Sequence, residues 1–121
     1  MMWKYIRGFS ILVLGIVVIS LSGCVTCATP YRREISNNPN LREANASYKK
    51  AINWLDKAKC SSTPFQAKES YATAESYLSD TIFKLKEQGN NNNIDVSEDV
   101  YYCERIKRET DVKIGVIDRT K

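Results

Sequence analysis

Four cysteines are the residues of this chain whose type and spacing could do specific chemistry. They lie at positions 24, 27, 60 and 103 of 121 residues. Histidine, the commonest general base and a common metal ligand, does not occur in the sequence. The sequence also has no Gly-x-x-x-x-Gly-Lys-[Ser/Thr] phosphate loop and no Gly-x-Gly-x-x-Gly nucleotide motif. We therefore expect no enzyme activity, no metal site and no cofactor.

The residues before the first cysteine have the pattern of an export signal. Lys4 and Arg7 precede an uncharged apolar run at positions 9–21. This run is shorter than the ~20 apolar residues of a membrane-spanning helix, and small residues follow it. The run ends in Leu21-Ser22-Gly23-Cys24, which resembles the lipobox of bacterial lipoproteins.

In that family the signal peptide is cut before the cysteine, which then carries a diacylglycerol and an acylated N-terminus. The resemblance implies that residues 1–23 are a lipoprotein signal peptide and that Cys24 is the lipidation site. Two or more acyl chains hold a protein stably on a membrane. Val25 follows the cysteine where an Asp would favour the inner membrane, which implies the periplasmic face of the outer membrane. A plain signal anchor with a chance cysteine is the alternative.

The next residues predict a lipidated, flexible tether at positions 24–40. They contain two prolines and three asparagines and have no helical apolar period. Removing Lys4 and Arg7 with the signal from 18 basic residues leaves 16 against 14 acidic residues. This small excess indicates no nucleic-acid partner. Cys24 and Cys27 have the spacing of a Cys-x-x-Cys motif, but the lipobox assigns Cys24 to lipid.

Apolar periodicity predicts three helices in residues 41–121. The first covers about 41–59, where apolar residues recur at alternating intervals of three and four: Leu41, Ala44, Tyr48, Ala51, Leu55 and Ala58. Asn40 is its predicted N-cap. The second covers about 64–88, with Thr63 as N-cap, Pro64 at the first helical position and Gly89 as C-cap.

The third predicted helix covers about 95–118, after an asparagine-rich turn. Its apolar side comprises Val96, Val100, Cys103, Ile106, Thr110, Ile114 and Ile117. Gly115 and the β-branched residues around it make a short strand the alternative near the end of the chain. The predicted fold is all-α, a small three-helix hairpin or bundle.

Cys60 and Cys103 are the candidate disulfide, because both lie in the predicted folded part and the periplasm is oxidising. In a straight hairpin, however, Cys103 lies level with about residue 80, and Cys60 lies roughly 24 Å away. A disulfide needs Cα atoms within about 7 Å. Either this bond is absent or the hairpin is not straight. Cys27 is expected to be exposed, with a second acylation as the alternative.

The helical part has a resemblance of its own. The run at positions 67–78, Gly89, and the run at positions 100–105 look like an uncharacterised α-helical domain of Gram-negative envelope lipoproteins. That domain often precedes an OmpA-like peptidoglycan-binding domain. No such domain occurs in this sequence, so peptidoglycan binding is not carried over. Cys103 also stands where the family usually has Ala.

Two functions follow from these expectations. The first is a non-catalytic structural or adaptor lipoprotein that binds an envelope protein, with four aromatic residues as candidate contacts: Trp54, Tyr77, Tyr101 and Tyr102. The second is a pilotin-like chaperone that grips a helix of a secretin, or of another outer-membrane subunit, in a groove. A closed bundle favours the first, and an open apolar groove favours the second. No small-molecule substrate is expected in either case.

Overall fold

The computed structural model describes residues 27–119, which form three helices. A 3-10 turn at Pro39–Leu41 leads into α1 (Arg42–Cys60), which is followed by α2 (Pro64–Asn92) and α3 (Ser97–Arg119). The all-α prediction is confirmed. Because α3 continues to Arg119, the alternative of a strand near its end is wrong. The predicted signal peptide and Cys24 lie outside the described residues.

The core is built on the face of α1 that the sequence predicted. Every residue of the predicted first stripe, from Leu41 to Ala58, is at most 3% exposed, and Ile52 is 1% exposed. Opposite it, α2 contributes Ala74, Leu78 and Leu85, and α3 contributes Cys103 and Ile106, all at 0% exposure. The small alanines let the helices approach closely, while the larger side chains fill the space between them.

Helix α2 lies between the other two helices. It packs along both α1 and α3, but no Cα atom of α1 comes within 8 Å of one in α3. The outer edges of α1 and α3 therefore leave a groove on the side away from α2. What fills that groove decides whether the bundle is open or closed.

The helix ends follow local side-chain chemistry, with two differences from the predictions. Thr63 caps α2 as predicted, because its hydroxyl accepts a hydrogen bond from the Gln66 amide at 3.2 Å. Asn40 does not cap α1. Instead, the Asn38 side chain accepts from the Asn40 amide at 2.9 Å and starts the 3-10 turn. At the other end of α2, Asn93 adopts the left-handed conformation (φ 55°) that ends the helix.

Gly89 is therefore not a C-cap but a point of close approach inside α2. A Cβ atom there would lie 2.9 Å from Val96 Cγ1 and 3.0 Å from the Ile94 carbonyl oxygen. The Ile94 amide also donates to the Gly89 carbonyl at 2.8 Å, so the turn folds back tightly over this residue. Only glycine leaves room for this turn.

We expect the two helical glycines to respond to alanine with opposite signs. Gly89→Ala should lower the free energy of unfolding by about 1–3 kcal/mol, because the turn must open to admit the methyl group. Gly115→Ala should raise it by roughly 0.5–1 kcal/mol, since alanine favours helix and the nearest atom is Arg119 Nη1 at 3.5 Å. Urea denaturation of both variants measures this. A stabilised Gly89→Ala protein would contradict the turn geometry.

Candidate interaction surface

The disulfide joins Cys27 to Cys60, the last residue of α1, with a Cα–Cα distance of 5.2 Å. The predicted Cys60–Cys103 pair is wrong. Cys103 is a free cysteine at 0% exposure in the second turn of α3, whereas Cys60 is the last residue of α1. The expectation that Cys27 is an exposed free residue is wrong as well. Burial, aided by Asp99, raises the pKa of the Cys103 thiol to about 12, so this thiol stays protonated.

Residues 27–38, called the leading segment below, are not a free tether. Thr29 and Ile35 are buried, at 7% and 6% exposure. The Ile35 amide donates to the Asn45 side chain at 3.0 Å, and the Lys59 ammonium donates to the Ala28 carbonyl at 3.1 Å. The prediction of a flexible tether up to residue 40 is therefore wrong for the described residues, because backbone contacts along α1 hold this segment.

Asp56 of α1 fixes the first part of the leading segment. Its carboxylate accepts from the Thr29 amide at 2.8 Å and from Arg33 Nη1 at 2.6 Å. Arg33 Nη2 also donates to the Thr29 carbonyl at 2.8 Å, which closes a small ring of charge-assisted hydrogen bonds. Partial burial alone would raise the pKa of Asp56, but the bonds from Arg33 and Thr29 outweigh it and the pKa is lowered.

Tyrosines from α1 and α3 hold the next part of the leading segment. Tyr48 is fully buried and its hydroxyl donates to the Arg32 carbonyl at 2.5 Å, while the Arg32 amide donates to the Tyr102 hydroxyl at 2.9 Å. The Arg32 guanidinium lies 4.2 Å from the centre of the Tyr102 ring. The Tyr31 hydroxyl donates to Glu109 of α3 at 2.6 Å. Desolvation raises the pKa of both Tyr31 and Tyr48, so they remain neutral donors.

The leading segment thus bridges α1 and α3 on the side of the bundle that faces away from α2. It contacts Asp56 and Tyr48 of α1, and Tyr102 and Glu109 of α3. Chain from the same molecule therefore occupies the groove between the two outer helices. In the described residues the bundle is closed on this side.

The four aromatic residues predicted as partner contacts differ in their surroundings. Tyr101 is 62% exposed on the outer face of α3. Trp54 and Tyr77 are half-buried, with Lys57 and Lys50 ammonium groups 4.3 and 5.8 Å from the respective ring centres. Tyr102 is also half-buried, and its hydroxyl is used by the leading segment. Tyr101 is the member of this set most accessible to a partner.

Sequence reasoning did not single out several exposed apolar residues. Phe65, Phe83 and Val112 are each 63% exposed, and Val116 is 45% exposed. Their positions in the sequence do indicate exposure, because each of these residues lies off the apolar stripe of its helix. The two phenylalanines lie on the outer face of α2.

A pair of carboxyl groups lies between α2 and α3. Glu75 Oε2 is buried without a hydrogen-bond donor. Desolvation first, and then the neighbouring Asp111 carboxyl, raise the pKa of Glu75 to about 7, against a smaller opposite effect of Lys107. A protonated Glu75 would remove the charge from this buried carboxyl and supply it with a donor.

This pair predicts that stability falls as the pH rises. The folded protein holds a proton on Glu75 up to about pH 7, whereas the unfolded chain releases it near the ordinary value of 4.5. The folded state therefore binds more protons in this window, and the contribution of Glu75 is lost as the pH passes through about 7. Glu75→Gln should flatten the slope between pH 4.5 and about 7, as measured by urea midpoints at each pH. An unchanged slope would contradict the protonation of Glu75 in the folded protein.

Within residues 27–119, no group of three metal-ligating side chains occurs. No helix in the same range is long and apolar enough to cross a membrane. No protein-family model, curated protein or solved structure matches this chain.

Proposed function

We propose that this chain is a non-catalytic lipoprotein that is anchored by Cys24 on the periplasmic face of the outer membrane and binds an envelope protein. One observation carries the proposal: the lipobox-like Leu21-Ser22-Gly23-Cys24 ends three residues before Cys27, which a disulfide fixes to the bundle. Disulfides persist in the oxidising periplasm, the compartment that a lipobox implies. The anchor and the folded domain are thus neighbours in the chain.

The occupied groove favours an adaptor over a pilotin-like chaperone. A chaperone that grips a helix needs an open apolar groove. Between α1 and α3 that place is taken by the leading segment, through hydrogen bonds to Tyr48, Asp56 and Tyr102. With this side of the bundle closed, a partner must bind another face, where Tyr101 is the most exposed of the predicted contacts. Exposed tyrosine is a common anchor in protein interfaces.

A crosslinked pulldown from whole envelopes tests this function. The full-length chain should retain one partner in stoichiometric amount. Tyr101→Ala should weaken the capture, and Cys24→Ala should abolish it together with membrane fractionation. Capture of a secretin through the groove, insensitive to Tyr101→Ala, would favour the chaperone instead. Membrane fractionation that persists in Cys24→Ala would contradict the lipid anchor.

A further inference from the structure

One end of the bundle, called the anchor end below, contains the end of α1 with Cys27, the start of α2 and the end of α3. The disulfide joins Cys27 to the last residue of α1 at this end. Residues 61–63 then connect to the start of α2. The end of α3 packs there as well, because the Lys68 ammonium lies 2.6 Å from Asp118. Covalent geometry keeps the Cα atom of Cys24 within about 11 Å of that of Cys27.

Apolar side chains are exposed at the anchor end. Phe65, in the first turn of α2, is 63% exposed, and Val116, in the last turn of α3, is 45% exposed. Side chains on a helix lean towards its N-terminus, so Phe65 leans beyond the first turn of α2. Next to Val116, an apolar groove between the two helices is lined by Ala67, Tyr71 and Ile117, with Lys113 at its edge.

The charged groups around these apolar residues are mostly basic. Three exposed basic residues belong to the last turns of α1 and α3: Lys57, Lys59 and Arg119. Lys113 is also exposed, one turn before the end of α3. Glu69 and Asp118 are acidic, but Asp118 is paired with Lys68. Apolar side chains with a basic surround match an anionic lipid surface, since the apolar groups enter the interface and the cations meet headgroups.

We propose that the anchor end docks on the membrane itself, with Phe65 and Val116 inserted into the headgroup region of an anionic leaflet. The inference rests on the proposed lipid attachment at Cys24. The Cys27–Cys60 disulfide makes the docking directional, because it keeps the anchor beside this end of the bundle. Helix α2 then extends away from the leaflet and carries its far end towards the periplasm.

Phe83 provides a matched control for Phe65 on the same helix. The two residues are 18 positions apart, which is five full turns, so they lie on the same outer face of α2. Both are 63% exposed. They are separated by roughly 27 Å along the helix axis. Of these two phenylalanines, end-on docking brings only Phe65 into contact with lipid, whereas a bundle lying on its side brings both phenylalanines into contact.

Tryptophan fluorescence with brominated lipids tests the docking. Full-length Phe65→Trp and Phe83→Trp proteins are extracted from membranes and reconstituted into vesicles of phosphatidylethanolamine and phosphatidylglycerol with dibrominated acyl chains. The signal of the wild-type protein, in which Trp54 remains after the proposed removal of residues 1–23 with Trp3, is subtracted from both. Since both replaced residues are exposed aromatics, we expect both variants to fold, as circular dichroism will verify.

We expect the bromine to cause loss of the Phe65→Trp emission and no loss of the Phe83→Trp emission. Equal loss from both would overturn end-on docking, and loss from neither would overturn membrane contact altogether. The Phe65→Trp emission in detergent solution provides a further comparison. If it shows that the indole is shielded from water, and more so at higher protein concentration, the surface would be assigned to a second copy of the chain instead. Protein that fails to float with the vesicles would overturn the lipid anchor and the docking together, a result distinct from anchored protein without quenching.

Discussion

Replacing Cys60 with serine should lower the free energy of unfolding by about 3–4 kcal/mol. The Cys27–Cys60 disulfide closes a loop with a sequence separation of 33 residues. Without this constraint the unfolded chain gains conformational entropy, which lowers its free energy by about 3–4 kcal/mol relative to the folded state. For a domain of this size, the melting temperature should fall by more than about 10 °C. Circular dichroism melts in non-reducing buffer measure the change.

The disulfide also predicts a pattern among variants. Cys27→Ser, Cys60→Ser and the double variant should be equally destabilised, because each removes the same bond. Reductant should lower the stability of the wild type to that of the variants and leave the variants unchanged. Cys103→Ala is the matched control, since it removes a buried thiol without touching the bond. Additive effects of Cys27→Ser and Cys60→Ser would contradict the bond.

Replacing Tyr48 with alanine should lower the free energy of unfolding by about 3–5 kcal/mol. Tyr48 is fully buried, and its ring centre lies 6.4 Å from that of Tyr102. Its hydroxyl also holds the Arg32 carbonyl. The side chain therefore joins α1, α3 and the leading segment, so its removal leaves a cavity where all three meet.

Tyr48→Phe separates the two roles of this residue. It keeps the ring but leaves the Arg32 carbonyl without its donor, so we expect a loss of about 1–2 kcal/mol. Tyr101→Ala serves as the control, because an exposed ring away from the core should change stability by no more than about 0.5 kcal/mol. Urea denaturation of the three variants gives the comparison. A Tyr48→Phe protein as unstable as Tyr48→Ala would mean that packing contributes little at this position.

Local patterns in the sequence were sufficient for the helices and their buried faces. The alternation of three and four residues from Leu41 to Ala58 predicts the buried face of α1, and Thr63 with Pro64 predicts where α2 begins. A helical period and an N-cap depend on residues within a few turns of each other, so both can be read directly from the sequence. The end of α2 was less predictable. Gly89 is a common C-cap, but here the left-handed residue is Asn93.

The leading segment could not be predicted, because its contacts join residues far apart in the chain. Thr29 meets Asp56, and Tyr31 meets Glu109, 78 positions away. Prolines and asparagines near these residues indicate only irregular backbone. An irregular backbone is equally compatible with a flexible tether and with a segment packed on the helices. The odd number of cysteines left after Cys24 was the one available signal. It shows that one thiol is left over, but not that Cys27 is paired.

We propose above that a lipid on Cys24 and the disulfide of Cys27 together attach the bundle to a membrane. Mass spectrometry of protein extracted from membranes, digested with trypsin without reductant, tests both parts at once. We expect a single species in which residues 24–32, carrying acyl chains on Cys24, are joined through Cys27 to residues 60–68. Reduction should release the two peptides. An uncut N-terminus, an unmodified Cys24, or free thiols at Cys27 and Cys60 would contradict this mode of attachment.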